Sequence, residues 1–114
     1  MERVVRFCRT AAGRCPVEEF LVDLDDRTLA KILAVFKLVE TQHIVSTQYF
    51  KKLSGRDLWE CRVGLGGRIY RFLGFWDAGA LIILTHGFEK KTQKIPLQEI
   101  NKALNIKADW ERRK

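Results

Sequence analysis

Three consecutive strand-like runs in the second half of the chain constrain its fold more than any other feature. They cover residues 58–65, 68–76 and 80–88. Gly66-Gly67 separates the first two runs, and a glycine pair tolerates the positive φ angles of a tight hairpin turn. Residues 77–79 (Asp-Ala-Gly) separate the last two. The sequence therefore predicts three antiparallel strands joined by short turns.

One strand and two helices are predicted before these runs. The strand covers residues 3–9, where apolar side chains alternate. Pro16 begins the first helix, because its missing N–H would be unpaired in a first helical turn anyway. Asp25 or Asp26 caps the second helix, which keeps helical apolar spacing as far as about Glu40.

The remaining segments complete a single domain. Residues 42–57 are predicted to be an irregular, polar connection, and Pro96 opens a final helix. The element order is then β-α-α-β-β-β-α. We expect an α+β fold, one domain over residues 1–114, with a mainly antiparallel sheet and the helices packed on one of its faces.

The two-residue turn fixes the register of the first hairpin. Leu65 pairs with Arg68, and counting outward places Arg62 opposite Arg71 and Trp59 opposite Gly74. The missing side chain of Gly74 is expected to leave room for the indole.

Two arginines in register on one face repel each other unless an anion lies between them. A phosphate is the natural candidate, because guanidinium groups bind phosphate through paired hydrogen bonds. The alternative is that Glu60 or Asp57 neutralises one of the arginines in a surface ion pair.

The third strand brings a histidine towards the same end of the sheet. A two-residue turn at Ala78-Gly79 places His86 opposite Arg71, whereas a three-residue turn places Thr85 there. The sequence leaves both registers open.

The net charge of +7 lies entirely in the second part of the chain. Residues 1–50 carry seven basic and seven acidic side chains, and residues 51–114 carry 14 basic and seven acidic ones. A basic half on a small domain suggests an anionic partner, most often nucleic acid, although a merely solvated surface is the alternative.

Lys90, Lys91 and Lys94 follow the third strand and suit a phosphate backbone. Tyr49 is the better candidate for stacking on a base, because Tyr70 alternates to the other face and is expected in the core.

Several function classes are disfavoured. No apolar run is long enough to cross a bilayer, and residues 1–6 do not resemble a signal peptide. Cys8, Cys15 and Cys61 form an odd set without CxxC spacing, which favours a reduced, cytoplasmic protein. His43 and His86 are the only histidines, so neither a metal site nor a cofactor is expected.

Three ordered blocks now carry a family resemblance. LWECRV at 58–63, GRIYRF at 67–72 and HGFEKKTQKIP at 86–96 resemble the phage-derived, HigB-like branch of the RelE/ParE toxin superfamily. VRF at 5–7 and CPVEEFL at 15–21 are similar to the same branch. The chain departs from its pattern at Cys61, Gly74 and Ile95, where relatives often carry leucine, tyrosine and threonine. The missing tyrosine puts a tyrosine role in catalysis in doubt.

The resemblance implies the toxin of a bacterial type II toxin–antitoxin system, acting as a ribosome-dependent, metal-independent mRNA endonuclease. The RNA 2′-hydroxyl would attack the neighbouring phosphate while cations stabilise the added negative charge. By this resemblance Arg62 and Arg71 match the family's strand arginines, and the lysines at 90, 91 and 94 match its basic loop. The full set of catalytic candidates is Arg62, Arg71, His86 and Lys91, and the RNA-binding candidates are Lys51, Lys52, Arg68, Lys90, Lys94 and Tyr49. Arg62 and Arg71 would hold the phosphate, and a lysine with a lowered pKa would move a proton. His86 is either an acid/base group or a buried structural histidine.

The implied partners are mRNA, the ribosome and a cognate antitoxin, expected to be a helix-turn-helix protein of the HigA kind. Two other functions fit the same fold. One is a ParE-like inhibitor of DNA gyrase without nuclease activity, and the other is a non-toxic nucleic-acid-binding remnant.

Overall fold

The structure is a computed structural model that describes residues 3–114. Its elements are β1 (Val4–Phe7), α1 (Pro16–Leu21), α2 (Asp26–Thr41), β2 (Phe50–Lys52), β3 (Trp59–Leu65), β4 (Arg68–Trp76), β5 (Leu81–Glu89) and α3 (Leu97–Arg112). The α+β class is confirmed, and so is the predicted order, to which the structure adds β2. The prediction that residues 1–6 are not a signal peptide includes Met1 and Glu2, which lie outside the described residues. Among residues 3–114, no helix combines the length and the apolar character needed to cross a bilayer.

The five strands form one sheet in the order β1-β5-β4-β3-β2. β1 runs parallel to β5, and all other neighbouring strands are antiparallel. The β3–β4 hairpin has the predicted register, with Arg62 opposite Arg71 and Trp59 opposite Gly74. Gly66 and Gly67 have φ angles of 60° and 80°, as a tight hairpin turn of this kind requires.

Both predicted registers for the β4–β5 pair are wrong. Trp76 pairs with Ile82, so the turn is formed by residues 78–80 and lies further along the chain than expected. A bulge at Thr85 then adds one more residue to β5. As a result Phe88 lies opposite Arg71, and His86 lies opposite Leu73.

The helices α1 and α2 cover one face of the sheet, which we call the α1–α2 face. Pro16 is the first residue of α1. Of the two predicted caps for α2, Asp25 is the actual one, and its carboxylate accepts a hydrogen bond from the Thr28 N–H at 2.7 Å. The apolar side of α2 packs on inward-facing strand residues, among them Cys61, Val63, Tyr70, Phe72, Ile82 and Leu84.

The expectation that all helices share one face is wrong, because α3 packs on the opposite face, called here the α3 face. Leu73 and Phe75 point there from β4, and Ile100, Ala103 and Trp110 of α3 pack in the clusters that contain them. The central strand β4 is therefore apolar on both sides. A strand of that kind has to be covered twice, which requires a helix on each face.

The strand β2 lies inside the segment predicted to be irregular. Phe50 pairs with Cys61, and Lys52 pairs with Trp59, at the free edge of the sheet. Three residues with a single apolar side chain give too short a pattern to recognise as a strand. Lysines on an edge strand also discourage pairing with another chain.

We predict that Gly87→Ala destabilises the fold by about 1–3 kcal/mol, because it overpacks a core that has no space. A Cβ at Gly87 would overlap the ring of Phe72, which is fully buried, and would lie 3.0 Å from the ring of Phe20. Gly64→Ala is the matched control, since its nearest neighbour would be the Arg68 carbonyl oxygen at 3.9 Å. Urea denaturation should place the control within about 0.5 kcal/mol of the parent. Equal stability of the two variants would contradict this account of the core.

Candidate functional site

Four cationic side chains come together around one end of the α3 face, and we call them the basic cluster. They are Lys51, Arg62, Arg71 and Lys90. Lys51 pairs with Glu60 across β2 and β3, and Arg62 pairs with Arg71 across β3 and β4. Strand alternation therefore directs these side chains to one face. Lys90 directly follows β5, where its N–H donates a hydrogen bond to the Ile69 carbonyl at 2.7 Å.

A buried carboxylate lies under this cluster. The Oε2 atom of Glu60 is 2.6 Å from the Nε atom of Arg71, and the two side chains are only 2% and 7% exposed. The Nε–H group of Arg71 does not point at the Oε2 atom of Glu60, so this contact is an ion pair and not a hydrogen bond. Arg71 also donates through Nη2 to the Gln93 carbonyl at 3.4 Å. Arg71 thus connects the sheet to the loop before α3.

Of the two carboxylates that the sequence offered as partners for the arginines, Glu60 does neutralise Arg71. This ion pair is buried and does not lie on the surface. Asp57, the other carboxylate considered, lies 3.3 Å from the Nζ atom of Lys107. Arg62 is partly exposed and has no ion-pair partner within residues 3–114. Because one carboxylate faces four cations, the cluster keeps a positive excess that favours an anion.

Lys90 is the lysine whose pKa responds to this environment. Its pKa is lowered, first by the loss of surrounding water and then by the positive charges of Arg71, Arg62 and Lys51, while Glu60 acts in the opposite direction. Lys91, selected from the sequence, has a 77% exposed side chain 3.7 Å from a Glu89 oxygen. The environment of Lys90 therefore favours the neutral amine more than that of a free lysine does.

His86 is buried under α3, and its ring stacks on Phe88, the residue opposite Arg71. Its Nδ1 atom lies 3.0 Å from the Thr85 hydroxyl, and its Nε2 atom lies 3.0 Å from the Glu99 carboxylate. Burial lowers the pKa of His86, although the hydrogen bond to Glu99 opposes that effect. This geometry matches the alternative of a buried histidine, which here joins β5 to α3.

Other candidates from the sequence lie elsewhere. Lys52 and Arg68 belong to the α1–α2 face by alternation, and Arg68 lies 3.6 Å from a Glu89 oxygen. Tyr49 packs against the core under α1 and α2, as does Tyr70. Lys94 is exposed, in a loop closed by a hydrogen bond from the Thr92 hydroxyl to the Lys94 carbonyl.

A surface groove on the α1–α2 face was not found from the sequence. Its aromatic floor consists of Phe50, Trp59 and Trp76, and residues 43–45 and 47 form a wall; we call it the aromatic groove. The predicted register of the β3–β4 hairpin could have indicated this groove, because Trp59 opposite Gly74 places Trp76 diagonally beside Trp59.

The structure needs a glycine at position 74 for another reason than room for the indole. A Cβ there would lie 2.7 Å from the Ile83 carbonyl oxygen of β5.

The site offers cationic stabilisation and little else. Burial raises the pKa of the Cys61 thiol to about 12, so this residue is no nucleophile between Glu60 and Arg62. All three cysteines are buried with free thiols. In the part of the chain that the structure describes, no three His, Cys, Asp or Glu side chains are grouped to hold a metal ion.

Comparison with known protein families gives a match over most of the chain. A family model described as "Phage derived protein Gp49-like (DUF891)" matches residues 19–108, from within α1 to within α3. The matched range includes the whole basic cluster and the aromatic floor. No curated protein matches the chain.

We predict that Arg71→Ala destabilises the protein by about 3–5 kcal/mol, because it leaves the buried Glu60 carboxylate without its counter-charge. A double variant, Arg71→Met with Glu60→Leu, should recover most of that loss, since it removes both buried charges. Arg62→Ala should cost less than about 1 kcal/mol, because this partly exposed arginine has no ion-pair partner in residues 3–114. Urea denaturation measures all three. A double variant no more stable than Arg71→Ala would show that the ion pair is not the source of the loss.

Proposed function

Because this chain belongs to the phage-derived Gp49-like family, a family of RelE- and HigB-like toxins, we propose that it is the toxin of a type II toxin–antitoxin pair and cleaves mRNA on the ribosome. The observation that carries the proposal is the basic cluster. Arg62 and the lysines at 51 and 90 present positive charge beside a buried Glu60–Arg71 ion pair. RelE-like toxins are endoribonucleases, and this charge pattern suits a phosphodiester substrate.

The reaction that fits needs no metal. The RNA 2′-oxygen attacks the adjacent phosphorus, and the bond from phosphorus to the 5′-oxygen of the next nucleotide breaks. The products are a 2′,3′-cyclic phosphate and a 5′-hydroxyl. A base must take the 2′-hydroxyl proton, and an acid must protonate the leaving 5′-oxygen. The transition state carries more negative charge on the phosphoryl oxygens than the substrate, so cations fixed beside it accelerate the step.

The residues divide these tasks unequally. Arg62, partly exposed, contacts the scissile phosphate and stabilises its developing charge. Arg71, fixed by Glu60, supplies positive potential from below and holds the loop that carries Lys90. Lys90 in its neutral form accepts the 2′-hydroxyl proton, because its lowered pKa increases the neutral fraction. Solvent water supplies the proton to the leaving 5′-oxygen. His86 acts through structure, by joining α3 to β5.

A cognate antitoxin is part of the proposal, since a cell that carries such a toxin must neutralise it. We propose a helix-turn-helix protein encoded beside the toxin gene. The neighbouring open reading frame, expressed together with this chain, should relieve growth arrest.

Induced expression in bacterial cells, with mapping of mRNA 5′ ends, tests the activity. The parent protein should generate new 5′-hydroxyl ends within coding regions. Arg62→Ala should reduce their number by roughly 100-fold or more, the usual effect of removing a transition-state donor. Arg112→Ala is the matched control; this arginine is exposed on α3 and lies 3.5 Å from Asp109. It removes the same charge and should leave cleavage intact.

Two outcomes would contradict the nuclease proposal. One is growth arrest with intact messages, together with inhibited DNA supercoiling by purified gyrase, which would identify a ParE-like inhibitor. The other is unchanged growth on expression of folded protein, which would identify a non-toxic remnant.

The pH dependence of cleavage tests the role of Lys90. In a purified translation system, the cleavage rate should rise with pH through the lowered pKa of Lys90, because only the neutral amine accepts a proton. Lys90→Arg keeps the positive charge but stays protonated, so its rate should be low and should not show this rise. Lys37→Arg, an exposed substitution on α2, is the control. If Lys91→Arg loses the rise while Lys90→Arg keeps it, the proton-transfer role belongs to Lys91.

A further inference from the structure

The aromatic groove lies across the β2 edge from the basic cluster. The rings of Phe50 and Trp59 are stacked, with centroids 5.0 Å apart, and the rings of Trp59 and Trp76 are perpendicular, with centroids 5.9 Å apart. Both indoles are partly exposed. The groove encloses about 460 Å³, which is within the range of small-molecule pockets. It is therefore a formed concave surface with aromatic rings at its floor.

The rim of this groove is cationic. Arg3 and Lys52 border it on the α1–α2 face, together with His43, and within residues 3–114 no Asp or Glu lines it. The guanidinium of Arg3 is held in place by hydrogen bonds to the carbonyls of Val39 and Gln42 at the end of α2. A fixed positive rim around aromatic rings suits a ligand that has both flat rings and negative charges.

The edge strand β2 joins the groove to the proposed cleavage site. Successive side chains of a strand point to opposite faces. Lys51 consequently belongs to the basic cluster, and Lys52, opposite Trp59, belongs to the groove. A single phosphate backbone that passes around this edge contacts one lysine on each side.

We propose that the aromatic groove is a subsite for single-stranded RNA, where a nucleobase next to the cleaved segment stacks on the exposed parts of Trp59 and Trp76. Lys52 binds the phosphate of that nucleotide. The inference rests on the proposed function, since it assigns a second contact to the same RNA. Stacking on aromatic side chains is sequence-tolerant, because every base has a π-face. The subsite therefore adds affinity without selecting one base.

A protein segment is the other class of ligand that a groove can bind. Exposed Ile44 on the wall would suit an apolar peptide side chain, and it is 80% exposed. The cations at the rim, with Lys51 of the basic cluster on the other side of β2, favour RNA, since a peptide would need acidic residues placed to meet both lysines. Binding of an oligoribonucleotide or of an acidic, apolar peptide separates the two.

Binding of short oligoribonucleotides to the purified protein, followed by tryptophan fluorescence, tests the proposal. Eight-residue oligouridylate is compared with an abasic oligomer that has the same phosphates. We expect quenching by oligouridylate and an affinity roughly 5- to 100-fold higher than that of the abasic oligomer. Trp59→Leu should remove this difference. Trp110→Phe is the matched control, because Trp110 packs on Phe75 at the other face.

Some outcomes would overturn the inference. They are equal affinity for the two oligomers in the parent protein, or quenching of the groove tryptophans by an acidic, apolar peptide and not by oligouridylate. Neither outcome requires a folded variant. Arg62→Ala separates this inference from the proposed function, because it should lose cleavage and still distinguish the oligomers. Oligomer discrimination without any mRNA cleavage by the parent protein would retain the subsite and reject the nuclease.

Discussion

The organisation of this protein follows from the double-sided burial of β4. Phe72 faces α1 and α2, whereas Leu73 and Phe75 face α3, so the central strand is covered by helices on both sides. Burying such side chains contributes about 1.5–3 kcal/mol each, so both faces of β4 add to the stability of the fold. Arg71 interrupts the apolar pattern of β4. Its charged side chain is buried at the surface of the sheet, beside the loop that leads into α3.

Burying Arg71 imposes a second requirement, because a desolvated charge costs several kcal/mol unless it is paired. Glu60 on the neighbouring strand meets that requirement. Arg71 is thereby used in holding the sheet and the loop together, and the partly exposed Arg62 remains available to an anion. The two arginines that looked equivalent in the sequence differ in burial, and so in what each of them can do.

The sequence predicted those features that depend on local chemistry. The glycine pair at 66–67 set the β3–β4 register, and with it the position of Arg62 opposite Arg71. The β4–β5 register depends on the bulge at Thr85, whose hydroxyl donates to the Leu73 carbonyl. Nothing in the sequence around Thr85 predicts that hydrogen bond, because its partner lies 12 residues away along the chain. The lowered pKa of Lys90 likewise arises first from the loss of surrounding water and then from charges on β2, β3 and β4, so counting lysines in the loop could not predict it.

The edge strand β2 explains why a basic half on so small a domain need not form a single patch. Lys51 and Lys52 are adjacent in sequence, but the alternation of a strand sends them to opposite faces. One of them extends the basic cluster, and the other borders an aromatic floor. A flexible polymer with a phosphate at every residue can contact both faces by passing around the edge, whereas a rigid duplex cannot follow so sharp a path, since its persistence length is about 150 base pairs. The distribution of the positive charge around β2 therefore favours a single-stranded ligand.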